Sequence, residues 1–322
     1  MIELLQNTQA YCLLQKESEE NMCSHAYLLL FDDARNLRAT LKEFAKLLFP
    51  ADTTAEKQRI DKLINEESYA DCLFYPAEGK KLAVEDAEKI REESLLSPIE
   101  GERKVFVLGD FAEANTQTQN KLLKMLEEPP KGVVFLLGAT TAFSVLPTVL
   151  SRTKKLEILP FPIPAIEETL HRIYENKYDS GTLEVCAATS GGILGEAQNI
   201  LEGGYYKILV ENAFNLCLFD DSKIPVAVRA VGETKYKKEL LSLLRLIFRD
   251  ALLVKTGNKA CGKAVLLRSE REKMEKVAEK YTVSALLYAQ EALSNAELQV
   301  QFNAVFPQCI EVCIANIRNN NK

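Results

Sequence analysis

Eight cysteines and two histidines are the residues of this 322-residue chain best suited to hold a metal, and their spacing argues against it. Cys12, Cys23, Cys72, Cys186, Cys217, Cys261, Cys309 and Cys313 include no C-x-x-C pair, the local spacing that keeps two ligands of a tetrahedral zinc together. Cys309 and Cys313 share a helical face at i, i+4, but no second pair accompanies them, and His25 and His171 stand alone. Buried, reduced thiols with no metal and no cofactor are the expectation. Phosphate chemistry is the other candidate. A phosphate-cradling loop needs glycines so that backbone N–H groups can close on the anion, a Lys for the β/γ oxygens and a Ser/Thr for Mg²⁺. The connection after the first apolar strand is Asp32-Asp-Ala-Arg-Asn-Leu-Arg-Ala-Thr40, with no glycine, two acids and no Lys-Ser/Thr pair. The first glycine of the chain is Gly79, against an average usage of about 7%.

These residues must be placed by the elements around them. His25 to Phe31 reads as a short buried strand, and Leu37 to Leu48 sets Leu37, Leu41, Phe44, Ala45 and Leu48 on one helical face. A polar helix, Thr54 to Asn65, an extended piece, Cys72 to Pro76, and a helix, Val84 to Glu93, follow. Lys104 to Leu108 and Val133 to Leu137 are apolar, β-favouring runs fit for strands buried on both faces, separated by a helix over Thr116 to Leu126 that Pro129-Pro130 stops. Strands alternating with helices predict a parallel sheet with helices on its faces. Pro160, Pro162 and Pro164 predict an extended linker. Short helices broken at Ser190-Gly-Gly192 then run from Ala165 to Leu201, and Gly203-Gly204 ends them. Beyond Tyr205 the 3.6-residue period persists, and Leu240 to Val254 is apolar almost all round, as in a helix buried among neighbours. The tail Asn319-Asn-Asn-Lys322 reads as frayed.

The net charge of −6 argues against a protein that coats nucleic acid over its whole surface. The charge is uneven: residues 1–206 carry 22 Lys+Arg against 33 Asp+Glu, and residues 207–322 carry 18 against 13. A solvated helical face is the plainer account of that excess, and a nearby anionic partner is the other. The N-terminus lacks the basic segment and apolar core of a secretory signal, and no apolar run approaches the roughly 18 residues of a membrane span, so a cytoplasmic protein is expected.

Three segments carry a family likeness. Gln119-Asn-Lys-Leu-Leu-Lys-Met-Leu-Glu-Glu-Pro-Pro130, Phe135-Leu-Leu-Gly-Ala-Thr-Thr141 and Leu146-Pro-Thr-Val-Leu-Ser-Arg152 resemble, in order and spacing, the AAA+ clamp-loader subunits of bacterial DNA polymerase III. The likeness extends to Ser190-Gly-Gly192 with Gly195 and to Phe248-Arg-Asp-Ala-Leu-Leu253, and so spans most of the chain. It implies an α/β AAA+ core over residues 1–158, a small helical lid over 159–204 and an all-α collar over 205–322. Against the family pattern, the end of the Lys104–Leu108 strand has Gly109-Asp110 in place of a metal-orienting Asp and a catalytic Glu. Glu196 follows Gly195 where a basic residue would reach the γ-phosphate. Pro50 to Ala70 contains no cysteine, so the four-cysteine zinc module common in relatives is absent there.

Ser151-Arg152-Thr153 stands where the family has Ser-Arg-Cys. By resemblance Arg152 is an arginine finger, a guanidinium that neutralises charge on a neighbouring subunit's γ-phosphate. A local salt bridge or carbonyl contact is the alternative. Lys124, on the Gln117–Leu126 helix, is by the same resemblance a candidate to couple DNA to the neighbouring ATP site, or else a solvated lysine. What the resemblance implies is the delta-prime branch: a subunit that binds no ATP itself and partners tau/gamma and delta. It would act indirectly on the sliding clamp and primed DNA, and contact the neighbour's ATP in trans. An ATP-hydrolysing loader subunit and an AAA+-derived scaffold outside replication remain the alternatives.

Overall fold

The computed structural model describes residues 1–175, 177–257 and 264–321, so Cys261 lies outside the described residues. Contacts divide the chain into two units, Met1–Pro160 and Phe161–Lys322.

The first unit opens with α1 (Ile2–Gln6) and α2 (Gln9–Glu19), the latter capped by Thr8, whose hydroxyl accepts from the Tyr11 amide at 3.2 Å. There follow β1 (Ala26–Phe31), α3 (Leu37–Leu47), α4 (Thr54–Asn65), β2 (Cys72–Tyr75), α5 (Val84–Ser94) and β3 (Lys104–Leu108). Then come α6 (Thr116–Glu127), β4 (Val133–Ala139), the single turn α7 (Pro147–Leu150) and β5 (Lys154–Ile158). The five strands are all parallel and lie in the order β2-β3-β4-β1-β5. Every residue of β1, β3 and β4 is buried, because these apolar runs have helices on both faces. On one face the Phe106 and Phe135 rings stack 5.5 Å apart. On the other, Leu37, Leu41, Phe44, Ala45 and Leu48 are all buried, as their helical spacing requires. Gly138 allows that close approach: a Cβ there would stand 2.6 Å from Leu41 Cδ1.

The second unit is helical: α8 (Ile163–Ile173), α9 (Ser180–Thr189), α10 (Leu194–Gly203), α11 (Tyr206–Leu218), α12 (Ile224–Gly232) and α13 (Lys237–Thr256). These are followed by α14 (Arg271–Lys280), α15 (Val283–Gln301) and α16 (Phe306–Asn319). Gly204 ends α10 with φ +69°, a left-handed conformation that glycine adopts without a steric penalty. The long helix α13 is buried along most of its length, and its Phe248 meets Tyr281 edge-on at 5.3 Å. Burial of such an aromatic contributes about 2–3 kcal/mol. Asp250, fully buried on α13, accepts the amides of Leu266 and Leu267 at 2.8 and 2.9 Å and so ties the segment before α14 to the core.

The structure adds to or corrects the sequence reading in five places. The N-terminal residues form two helices, and β5 adds a fifth strand; its burial alternates because it lies at the sheet edge. The extended segment is shorter than three prolines suggested, since α8 begins at Ile163 and Pro164 occupies its first turn, where its missing N–H costs nothing. The Asn tail is tied down: Asn321 Nδ2 donates to the Lys280 carbonyl at 2.8 Å, and the Thr282 amide donates to Asn321 Oδ1 at 2.5 Å. Of the described cysteines, Cys72, Cys186, Cys217, Cys309 and Cys313 are buried, whereas Cys12 is exposed and Cys23 half-buried, with the Arg103 guanidinium 3.3 Å from its sulfur.

Candidate functional site

The carboxyl ends of parallel strands are where an α/β sheet places its chemistry, because the connections to the following helices converge there. At the end of β1 the chain turns into α3 through only five residues, Asp32 to Asn36. Asp33 folds back under this turn. Its amide donates to the Phe31 carbonyl at 2.8 Å; its carboxylate accepts the Asn36 amide at 3.0 Å and the Asn36 side-chain amide at 2.8 Å. Asp33 is 2% exposed, so an anion belonging to the chain sits at the amino end of α3. Asp32 stays exposed on the outside of the turn.

A cation lies next to it. Arg38, on the first turn of α3, donates Nε to Glu67 Oε1 at 2.7 Å, Nη2 to Glu67 Oε2 at 2.5 Å and Nη1 to the Pro76 carbonyl at 3.0 Å. Its guanidinium covers the Phe74 ring and lies 3.7 Å from where a Cβ of Gly109 would stand, beside the end of β3. Lys42, one turn further, pairs with Glu67 Oε1 at 2.9 Å. Burial works against ionisation of Glu67, but the hydrogen bonds from Arg38 and Lys42 outweigh it and hold the carboxyl below its usual range. The bidentate Arg38–Glu67 fork is thus fully ionised at neutral pH. Sequence reading missed this group, because its partners lie 29 residues apart and no local spacing marks them.

At the end of β3, Gly109 donates its amide to the Tyr75 carbonyl at 2.7 Å, and Asp110 takes a left-handed conformation at φ +33°. Burial, and then the neighbouring Glu113, push the Asp110 carboxyl above its ordinary pKa, and its Oδ1 is buried without a partner. Among the described residues no three His, Cys, Asp or Glu side chains gather as metal ligands. In the second unit Glu196, on α10, stands 4.0 Å from Lys238.

Arg152 follows α7 and points back across it. Nη1 donates to the Thr148 carbonyl at 2.8 Å and to Ser151 Oγ at 3.2 Å, while Nη2 meets Glu127 Oε1 at 2.6 Å. Ser151 Oγ donates to the same Thr148 carbonyl at 3.1 Å, and Thr153 Oγ1 to that of Val149 at 3.1 Å. Glu127 is the last residue of α6, so the pair joins Arg152 to the helix that carries Lys124. Both the salt bridge and the carbonyl contact considered for Arg152 are therefore made within the chain. About a third of the guanidinium side chain stays accessible, and the pair is solvent-facing, so its contribution to stability is about 0–1 kcal/mol. Lys124 is exposed, and the structure brings its helix, but no ion pair of its side chain among the described residues, to this place.

The chain is thus of the α/β class: a five-stranded parallel sheet with helices on its faces, followed by a helical C-terminal unit. Comparison with known proteins narrows the class. The family model described as DNA polymerase III, delta subunit, matches residues 6–162. DNA polymerase III subunit tau of Bacillus subtilis is 24% identical over 283 residues, 79% of this chain and 49% of that protein. DNA polymerase III subunit delta' of the same organism is 23% identical over 259 residues, 76% of this chain and 77% of that protein. The chain spans about half or less of the length of the tau and gamma/tau relatives it matches. Among solved structures, a gamma subunit-related protein of Thermotoga maritima is aligned over 96% of this chain and 99% of its own, at 17% identity and a TM-score of 0.42. By sequence the chain is thus similar to DNA polymerase III subunits, with the family-model match confined to residues 6–162 and the longest relatives under 25% identical. Among the described residues no helix is long and apolar enough to cross a membrane.

Proposed function

We propose that the chain is a non-ATP-binding subunit of a DNA polymerase III clamp loader, supplying Arg152 in trans to the ATP site of a neighbouring tau/gamma subunit. The observation that carries this reading is Asp33. A nucleotide site sets phosphate at the helix that follows β1 and Mg²⁺ between that helix and the end of β3. Here a buried carboxylate occupies the first place, and the Arg38 guanidinium reaches toward the second. A phosphate brought to α3 would meet like charge, and five residues without glycine leave no loop to wrap it. Gly109-Asp110 offers no carboxylate pair to order metal and water.

Arg152 supports the other half. It cannot be titrated away at physiological pH, its fork matches phosphate oxygens, and its pairing with Glu127 is weak enough to be exchanged for a triphosphate. With tau/gamma and delta as partners, it would complete the neighbour's site while the assembly opens the sliding clamp and places it on primed DNA. Lys124 would pass the state of that DNA to the same boundary, and the three-part division into core, lid and collar would serve oligomerisation through residues 205–322. Such a subunit works in the cytoplasm and is not an ATPase on its own.

The test is reconstitution with tau/gamma, delta, clamp and primed DNA. Arg152→Ala lowers stimulated ATP hydrolysis at the adjoining site by about 10³-fold or more with assembly intact. Unchanged hydrolysis in an intact assembly overturns the finger. In equilibrium dialysis a labelled ATP analogue is not retained by the chain alone; stoichiometric retention would favour an ATP-hydrolysing subunit, and failure to co-purify with tau/gamma or delta would favour a scaffold outside replication.

A further inference from the structure

Two short aromatic and basic segments meet in the second unit. Tyr205-Tyr206-Lys207 stands at the start of α11, and Lys235-Tyr236-Lys237-Lys238 runs into the start of α13. The Tyr205 and Tyr236 rings stack with centroids 3.3 Å apart and planes 9° from parallel. Both tyrosines line a groove of about 250 Å³ between α11 and the turn that joins α12 to α13. Buried Leu209 and Val231 give it an apolar floor, and Ile208, 64% exposed, stands open on its wall. Lys207, Lys235, Lys237 and Lys238 beside it are all exposed. Of these four, only Lys238 makes an ion pair among the described residues, with Glu196 at 4.0 Å. Over residues 229–238, Arg229 and three of these lysines stand against a single acid, Glu233.

We infer that this groove and its lysines bind single-stranded nucleic acid, with a base against the tyrosines and the phosphates along the lysines. Aromatic faces take a base of any kind, and exposed lysines track the backbone outside the stacked bases. The two acids at the groove fit this order. Glu233 lines it and Glu239 accepts from the Tyr205 hydroxyl at 3.4 Å, so a phosphate set inside would meet like charge. A base edge suits the same place, because its N–H groups can donate to Glu233 and its acceptors can be met by the Asn212 amide. A duplex, whose bases are already stacked and paired, has none to insert. The groove uses neither Asp33 nor Arg152, and the inference stands whether or not the proposed function holds.

Fluorescence anisotropy of the full chain with a labelled oligothymidylate of about 15 nucleotides tests it. Binding is saturable at low salt and weakens as salt rises. Combining Lys207→Gln with Lys235→Gln weakens it and flattens the slope of log K against log salt by about 1.4, the share of two phosphate contacts. Both side chains are exposed, so the urea midpoint of this double variant stays at the wild-type value. Tyr236→Leu weakens binding about tenfold, whereas Tyr236→Phe, which keeps the ring, does not. Absence of saturable binding, or equal affinity and salt slope in the lysine double variant and wild type, overturns the site. A hairpin duplex bound as tightly as the single strand overturns it in favour of plain electrostatic attraction. A labelled peptide of alternating Asp and Leu, bound where the oligonucleotide is not and lost in the lysine double variant, overturns it in favour of an acidic protein partner.

Discussion

The Arg152 guanidinium is held 2.6 Å from Glu127, the last residue of α6, and the same guanidinium reaches the Thr148 carbonyl. Glu127 therefore competes for the charge that Arg152 would offer to a neighbour. Glu127→Gln frees that charge. In the reconstituted loader it leaves stimulated ATP hydrolysis equal to or above wild type, in contrast to Arg152→Ala, and changes stability by less than about 1 kcal/mol in urea denaturation. A loss of hydrolysis as deep as that of Arg152→Ala would mean that the pair, not the free guanidinium, is the working form.

Asp33 stabilises the start of α3 through two hydrogen bonds from Asn36. Asp33→Ala removes both and leaves the Asn36 amide with only its longer bond to the backbone carbonyl of residue 33, at 3.2 Å. The expected cost is about 1–2 kcal/mol, read as a lower urea midpoint at unchanged slope. Addition of ATP and Mg²⁺ to wild-type protein leaves the midpoint where it was.

Glu67 gives stability a defined pH dependence. Its folded pKa lies below the ordinary value of 4.5, despite opposition from burial, because Arg38 and Lys42 bond the ionised form. A depressed folded pKa means that the contribution is fully present above about pH 4.5 and is lost as pH falls through the folded value. Glu67→Gln lowers stability at pH 7, and the difference from wild type shrinks below pH 4.5. Denaturation midpoints of both proteins across pH 3 to 7 check the slope.

Gly138 is a packing requirement, as its φ is not in the left-handed region. Gly138→Ala drives a methyl against Leu41 and costs about 1–3 kcal/mol. Combining it with Leu41→Ala makes room, so the double variant is more stable than the sum of the single changes predicts, and a double-mutant cycle measures the coupling.

The strands β1, β3 and β4 were legible because each is a short apolar run buried on both faces, and α3 because five apolar residues fall on one stripe. β5 was not: Lys154-Lys-Leu-Glu-Ile158 is an edge strand whose charged residues face solvent, and it pairs only through β1. Arg152 was singled out by its flanking motif, whereas its partner Glu127 depends on how α6 and α7 pack. Asp33 was visible as an acid in the wrong place for phosphate. That it folds inward to hold Asn36, and that Arg38 and Glu67 build an ion pair beside it, are tertiary facts with no local signature.

The resident carboxylate at α3 bears on more than binding. If it binds no nucleotide, as proposed, a subunit whose helix terminus is already occupied by its own Asp33 would present the same shape in a starved cell and in a growing one. On the proposed function, within a machine whose other parts would cycle with nucleotide, such a chain would work as a fixed reference against which their movements are registered.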